Sequence, residues 1–208
     1  MRIGIIGAGH IGGTLAALFV TAGHEVAVSN SRGPDTLGEL VAELGATAHA
    51  ATTADAAAFG DLLVVSVPFG RYRELPADGV AGKIVVDTNN YYPRRDGDFA
   101  ELDSGRSTSS ELLAAHLAGA KVVKAFNAMY WEHLRGRGRP AGDPERLAIP
   151  ISGDDADAKQ TVAGLIDQIG FDAVDAGGLA DGGRRHQPGS PAYGVLLTAK
   201  ELQDHLGD

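Results

Sequence analysis

Apolar residues fall in short, nearly unbroken runs along this chain, separated by stretches of helical spacing and by glycine-rich turns. The clearest runs are RIGIIG (2–7), DLLVVSVP (61–68), KIVVDTNN (83–90) and AKVVKAFN (120–127). A run that is apolar at consecutive positions, rather than at alternate ones, predicts a strand covered on both faces. EVAVS (25–29), a weaker segment at 46–50, RLAIPISG (146–153) and FDAVDAG (171–177) predict four more. Pro150 predicts an edge position for the strand that carries it, because it has no N–H for a ladder. Helices are predicted at 10–23, 35–44, 53–59, 107–117, 129–134, 154–169 and 192–206, with Gly23 and Gly45 as stops. Residues 91–106, 135–145 and 177–191 have no clean period and read as loops.

Strand alternating with helix predicts an α/β fold with a doubly wound, mostly parallel sheet. Ligand is then expected at the carboxyl ends of the strands, at the point where strand order reverses. GAGHIG lies there, directly after the first strand and at the opening of a helix. The residues Gly7, Ala8, Gly9, His10, Ile11 and Gly12 therefore read as a dinucleotide-binding turn. Gly7 allows the tight bend, Gly9 lets a pyrophosphate approach the backbone, and Gly12 lets helix and strand pack closely. The free N–H groups at the helix start face the phosphate.

NAD-binding chains usually carry a carboxylate at the end of the second strand, where it accepts from ribose hydroxyls and repels a 2′-phosphate. Here that position reads Ser29, Asn30, Ser31, Arg32. A guanidinium pairs with a dianionic phosphate, and hydroxyls donate to it. The stretch is expected to select NADP(H), the plain alternative being a polar turn before a helix. Asp35 reads as a cap on that helix. Val67, Pro68 and Phe69 at one strand end are expected to pack on the nicotinamide ribose or ring. Asn89 and Asn90 at the next are expected to bond the carboxamide or the substrate; strand-end turn chemistry is the alternative. HQPGSPAYG (186–194), with Pro188, Ser190 and Tyr193, could line the substrate side of the cleft, or Tyr193 could pack in the core.

Composition narrows the chemistry. The chain has 208 residues and no cysteine, which excludes disulfides, thiolate catalysis and thiolate-held metal. The seven histidines are scattered, so no metal site is expected. Asp154, Asp155 and Asp157 lack the length and glutamate of a calcium loop and suit a helix N-terminus. The formal charge of −9 argues against nucleic-acid or anionic-membrane partners. The apolar runs are shorter than a membrane span and no leader is expected before the first strand, so a cytoplasmic location is expected. Arg135, Arg137 and Arg139, with Arg94, Arg95, Arg184 and Arg185, read as solvated loop charges or as a grip on an anionic substrate tail.

MRIGIIGAGHIG, SNSRGP, VVSVPFG, DTNNYYP and VVKAFNAMYW together resemble the NADP oxidoreductases dependent on coenzyme F-420, a deazaflavin, over nearly the whole chain. The cytoplasmic domains of the STEAP metalloreductases are similar. The resemblance implies a Rossmann domain over 1–150 and a small C-terminal extension over 151–208 that completes the substrate cleft. It implies NADPH held by the glycine turn, Ser31 and Arg32, and direct hydride transfer to a small planar acceptor such as a deazaflavin or flavin. It places Ala125 and Asn127 near the nicotinamide, Met129, Tyr130 and Trp131 near the acceptor, and suggests a homodimer. Typical deazaflavin reductases carry GGTGxxG where this chain has GAGHIG, so the acceptor stays open. The rival readings are a reductase of a small imine or carbonyl, with Tyr193, Tyr130 or His186 as proton donor, and an NADPH-binding redox sensor without turnover.

Overall fold

The computed structural model describes residues 1–207. Its strands are β1 (Arg2–Ile6), β2 (Glu25–Ser29), β3 (Ala48–Ala50), β4 (Leu62–Val65), β5 (Ile84–Asp87), β6 (Lys121–Lys124), β7 (Ala148–Gly153) and β8 (Asp172–Asp175). Its helices are α1 (His10–Thr21), α2 (Gly38–Leu44), α3 (Thr53–Phe59), α4 (Pro93–Asp96), α5 (Ala100–Asp103), α6 (Ser109–His116), α7 (Trp131–Gly136), α8 (Ala156–Gln168), α9 (Asp181–Arg185) and α10 (Ala199–Gly207). The strands form one sheet in the order β3-β2-β1-β4-β5-β6-β7-β8. All neighbours are parallel except β6 and β7. The chain reverses between β3 and β4, which opens a crevice at the carboxyl ends of β1 and β4.

Helices cover both faces, as the apolar runs require. One core packs Leu15 and Phe19 of α1 and Val162 and Ile166 of α8 against β1, β2, β6 and β7. The other packs Phe69, Tyr72, Leu113 and Leu117 against β4 and β5.

Four expectations are corrected. Pro150 does not mark a sheet edge: β7 lies between β6 and β8. The Leu147 and Ile151 carbonyls accept from β8, so Pro150 belongs to the opposite alternation. There β6 reaches only Gly153 and Ser152, and Pro150 has no ladder bond to lose. The boundary at 150/151 falls inside β7, and the C-terminal residues are built onto the end of the same sheet. The 91–106 loop contains α4 and α5, anchored by Phe99 against Phe69 and Tyr91. The last helix starts at Ala199, not 192. Gly194 has a φ of +74°, and Thr198 and Glu201 bond each other at the helix start. The segment before α10 runs extended, with Leu197 accepting from the Ala148 N–H.

Candidate functional site

Gly7 has a φ of +110°, and a Cβ on it would stand 2.0 Å from the Ser66 carbonyl oxygen. A Cβ on Gly12 would stand 1.8 Å from the Gly7 oxygen. Both positions are closed to any side chain by backbone. Gly9 differs: nothing lies within 4 Å of its Cβ position. The turn is therefore tight inside and open outside, at the start of a twelve-residue helix with no acid in its first turn. The unpaired N–H groups and the dipole there favour an anion.

A cavity of about 470 Å³ opens over this turn, lined by Gly7, Ala8, Gly9, Asn30, Ser31 and Arg32, and across the crevice by Val67 and Pro68. The Asn30 carboxamide folds the turn after β2. Its oxygen accepts from the Arg32 N–H at 2.9 Å and its nitrogen donates to Thr36 Oγ1 at 2.9 Å. Among the described residues no carboxylate lies within 4.0 Å of the Arg32 guanidinium. Ser29 does not share the cavity. It is fully buried and donates to the Ile5 carbonyl, because its place in β2 turns it into the sheet. Arg71 also lines the cavity, paired with Glu74 at 2.6 Å. Arg71 is not among the residues expected above, although VPFGRYRE puts basic residues directly after β4. An open glycine, an unpaired guanidinium and no carboxylate at the end of β2 together fit an NADP(H) diphosphate and 2′-phosphate.

The remaining strand ends are mostly locked. Val67 donates its N–H to Asn89 Oδ1 at 2.9 Å, while the buried Asn89 Nδ2 has no partner. Phe69 is core, stacked on Tyr72 at 4.8 Å, and does not reach the cavity. Ala125 is fully buried in the sheet. Phe126 adopts a φ of +62°, a left-handed conformation that costs a bulky residue about 1–3 kcal/mol. Asn127 follows this bend and is fully engaged. Its nitrogen donates to Asn90 Oδ1 (3.0 Å) and to the His186 carbonyl (2.7 Å), and its oxygen accepts from His186 Nδ1 at 2.8 Å. Neither Ala125 nor Asn127 offers a free group to the cleft.

His186 is likewise corrected as a proton donor. It is fully buried, with Nε2 accepting from Ser152 Oγ at 2.7 Å. Burial, helped by the Lys124 charge, pulls its pKa down to about 3. The ring is thus neutral in the fold and protonated in the unfolded chain below about pH 6.5. The unfolded state binds the extra proton, so this ring's contribution is full above pH 6.5 and is lost as pH falls toward 3. The expected slope is about 1.4 kcal/mol per pH unit between those limits. Urea titrations at pH 4.5 to 7 should show it in the wild type and show a shallower dependence in His186→Gln.

The expected acceptor residues divide. Met129 is core, and Trp131 stacks on His10 at 4.8 Å at the start of α1, beside the glycine turn. Their place on the α1 side of β6 decides both. Pro188 lines a neighbouring cleft, and Ser190 buries its hydroxyl without a partner. Tyr193 does stand at the end of β5. Its hydroxyl is 2.5 Å from the Tyr92 hydroxyl and 3.5 Å from Asn90 Nδ2. Burial and the bond to Tyr92 raise its pKa, which keeps the phenol protonated. Tyr130 is exposed and sits beside Gly194. Arg95 completes the cluster, donating to the Asn90 carbonyl at 2.7 Å and lying over the Tyr92 ring.

Beneath lies a buried ionic group. Asp87 and Lys124 are 3.8 Å apart and both closed to solvent. Thr108 caps α6 through a capping box with Glu111, which aligns Ser109 and Ser110 with the pair. Ser110 donates to Asp87 at 2.6 Å, and Lys124 donates to the Asn89 carbonyl at 2.9 Å. The signal in the sequence was a charge at the end of two otherwise apolar runs. No group of three His, Cys, Asp or Glu side chains that could hold a metal occurs among the described residues. No helix among them is long and apolar enough to cross a membrane.

Comparison with known proteins bears on this geometry. Residues 2–91 match the family model described as NADP oxidoreductase, coenzyme F420-dependent. A hypothetical protein from Sinorhizobium meliloti, known from its crystal structure, is 33% identical, with 95% of each chain covered and a TM-score of 0.81. The chain belongs to this family. It is an NADP-dependent oxidoreductase. The F420-dependent NADP reductase of Methanothermobacter thermautotrophicus is 29% identical over 194 residues, 86% of this chain and 82% of that one. Metalloreductase STEAP3 of Rattus norvegicus is 32% identical over 181 residues. That match covers 86% of this chain and 34% of the metalloreductase, so the chain spans about a third of that relative's length.

Proposed function

We propose that this oxidoreductase transfers a hydride directly between NADP(H) and a small planar acceptor, such as a deazaflavin or flavin. One observation carries the reading. At the ends of β4, β5 and β6 Asn90, Asn127 and the imidazole are engaged with one another and His186 is neutral and sealed, so the groups left near the cleft among the described residues are the Asn89 amide nitrogen and tyrosine hydroxyls, none a strong acid or base. A ring-to-ring hydride transfer asks the protein to position and to exclude water, not to supply a strong acid or base. The Gly7–Gly12 turn, Ser31 and Arg32 would hold the phosphates, with Val67 and Pro68 against the nicotinamide end. Bound NADPH supplies the hydride.

The test is absorbance-monitored turnover of NADPH and of NADH against oxidised deazaflavin, FMN and FAD. NADPH-specific turnover with at least one of the three is expected. Tight NADPH binding with no turnover on any acceptor would identify a redox sensor instead.

A second reading, reduction of a small imine or carbonyl, is favoured by the protonated Tyr193 phenol. The two part on one variant. For a planar acceptor, Tyr193→Phe should change kcat by less than about threefold. For a carbonyl or imine that takes its proton from Tyr193, the loss should be roughly 10²–10⁴-fold.

A further inference from the structure

We propose that the cleft on the far side of Tyr92 is a subsite for a phosphate group carried by the hydride acceptor, with Arg184 as its ion partner. This rests on the reading of the chain as a hydride-transfer enzyme with a planar acceptor.

The cleft has a volume of about 440 Å³ and lies between Tyr91–Pro93, the start of α6 and the end of α9. Arg184 lines it, half-buried, with its guanidinium over Gly105: Nη1 is 4.0 Å from where a Cβ on that glycine would stand. The chain carries 27 Asp and Glu against 18 Lys and Arg. Even so, no carboxylate lies within 4.0 Å of Arg184 among the described residues. A partly desolvated guanidinium without a counter-ion is suited to a ligand's anion.

The other lining groups agree in sign. Ser109 and Gln187 offer donors and no acid lines the cleft, while the Ser107 hydroxyl is turned to Glu111 at 3.4 Å. Behind Ser109 stands the buried Lys124 ammonium, 3.5 Å from the Ser109 hydroxyl. Asp87 offsets that charge from the far side. Asp103, near Tyr91, is engaged by the Tyr91 hydroxyl at 2.8 Å.

The cleft is also joined to the strand ends. Tyr92 forms its wall, and the Tyr92 hydroxyl bonds Tyr193, which reaches Asn90 at the end of β5. An acceptor ring resting at β5 would send its side chain past Tyr92 toward Arg184. The clefts that take the two phosphates are therefore separate, with Arg32 at the cofactor's end and Arg184 at the acceptor's.

The test compares acceptors that differ by one phosphate: riboflavin with FMN, and ribityl-5-deazaflavin with its 5′-phosphate. For each pair we would measure NADPH-dependent kcat/KM, and affinity for the NADP⁺-loaded protein from flavin fluorescence. The wild type should favour the phosphorylated member by about 10- to 100-fold. Arg184→Gln should bring the ratio near one, and Arg184→Lys should keep part of it. Unchanged NADPH affinity in both variants reports that the fold is intact. No phosphate preference in the wild type, or equal loss for both members in Arg184→Gln, overturns the subsite. Phosphate-dependent binding that tracks Arg184 without any reduction would leave the subsite standing and overturn the hydride-transfer reading.

Discussion

Arg32→Ala should weaken NADPH binding by about 10- to 100-fold and change NADH binding by no more than about threefold. The difference follows from what the side chain meets. Arg32 lines the cavity over the glycine turn, has no carboxylate partner among the described residues, and has its backbone held by Asn30. A guanidinium in that place gains two charge-assisted bonds from a 2′-phosphate and little from a 2′-hydroxyl. The glycine turn and the dipole of α1 serve the diphosphate shared by both cofactors, so they do not discriminate. Fluorescence titration with each reduced cofactor reads the two affinities. Equal loss for NADPH and NADH would remove the 2′-phosphate from Arg32, and Arg71, on the same cavity, would then be the guanidinium to test.

The largest stability effect should come from beneath the site. Asp87→Ala should lower the unfolding free energy by about 3–5 kcal/mol, the usual cost of stranding a buried charge. Both Asp87 oxygens are engaged, Oδ1 with the Asn89 N–H at 2.9 Å and Oδ2 with Ser110. Burial lowers the pKa of Lys124 and Asp87 opposes that shift. Without the carboxylate, Lys124 would have to lose its proton or drag water into the sheet. Adding Lys124→Met to Asp87→Ala should recover at least half of the loss, since two apolar groups leave no orphan charge. Urea denaturation of the two single variants and the double variant closes the cycle. A single-variant loss below about 1 kcal/mol would mean that Lys124 is already neutral in the fold. The pair also matters for the cleft, because Lys124 holds the carbonyl of Asn89 beside the cofactor cavity.

Much of the fold was legible along the chain. GAGHIG declares itself because two of its glycines answer a backbone demand, a positive φ at Gly7 and backbone contact at Gly12, while Gly9 leaves the outer side of the turn open. The turn at 30–36 is local as well: one asparagine binds residues two and six positions on. The apolar runs revealed the doubly covered strands, since a strand buried on both faces has no polar alternation to show. Asp155 caps α8, the helix-start role that a run of acids suggests, while Asp154 accepts from the Leu179 N–H of a distant loop.

Elsewhere the motif was visible and the role was not. KAFN stood out, yet its asparagine serves His186, fifty-nine residues later, and not the cleft. Phe69 and Met129 adjoin predicted site residues and turn into the two cores. Ser29 closes against β1, and Trp131 leaves with α7 for α1. In each case the deciding partner comes from a distant segment, and adjacent residues on a strand or at its end point in opposite directions.

By itself, then, the sequence determined what depends on backbone conformation and on the period of burial: the strands, the phosphate turn, and the replacement of a carboxylate by Arg32. The tertiary structure alone decided which polar groups remain unspent. Hydrogen bonding in a low-dielectric interior is exclusive, so a buried asparagine or histidine satisfied by a remote partner has nothing left for a ligand. That exclusion retires Asn127 and His186 and leaves Arg32 and Arg184 lining open clefts.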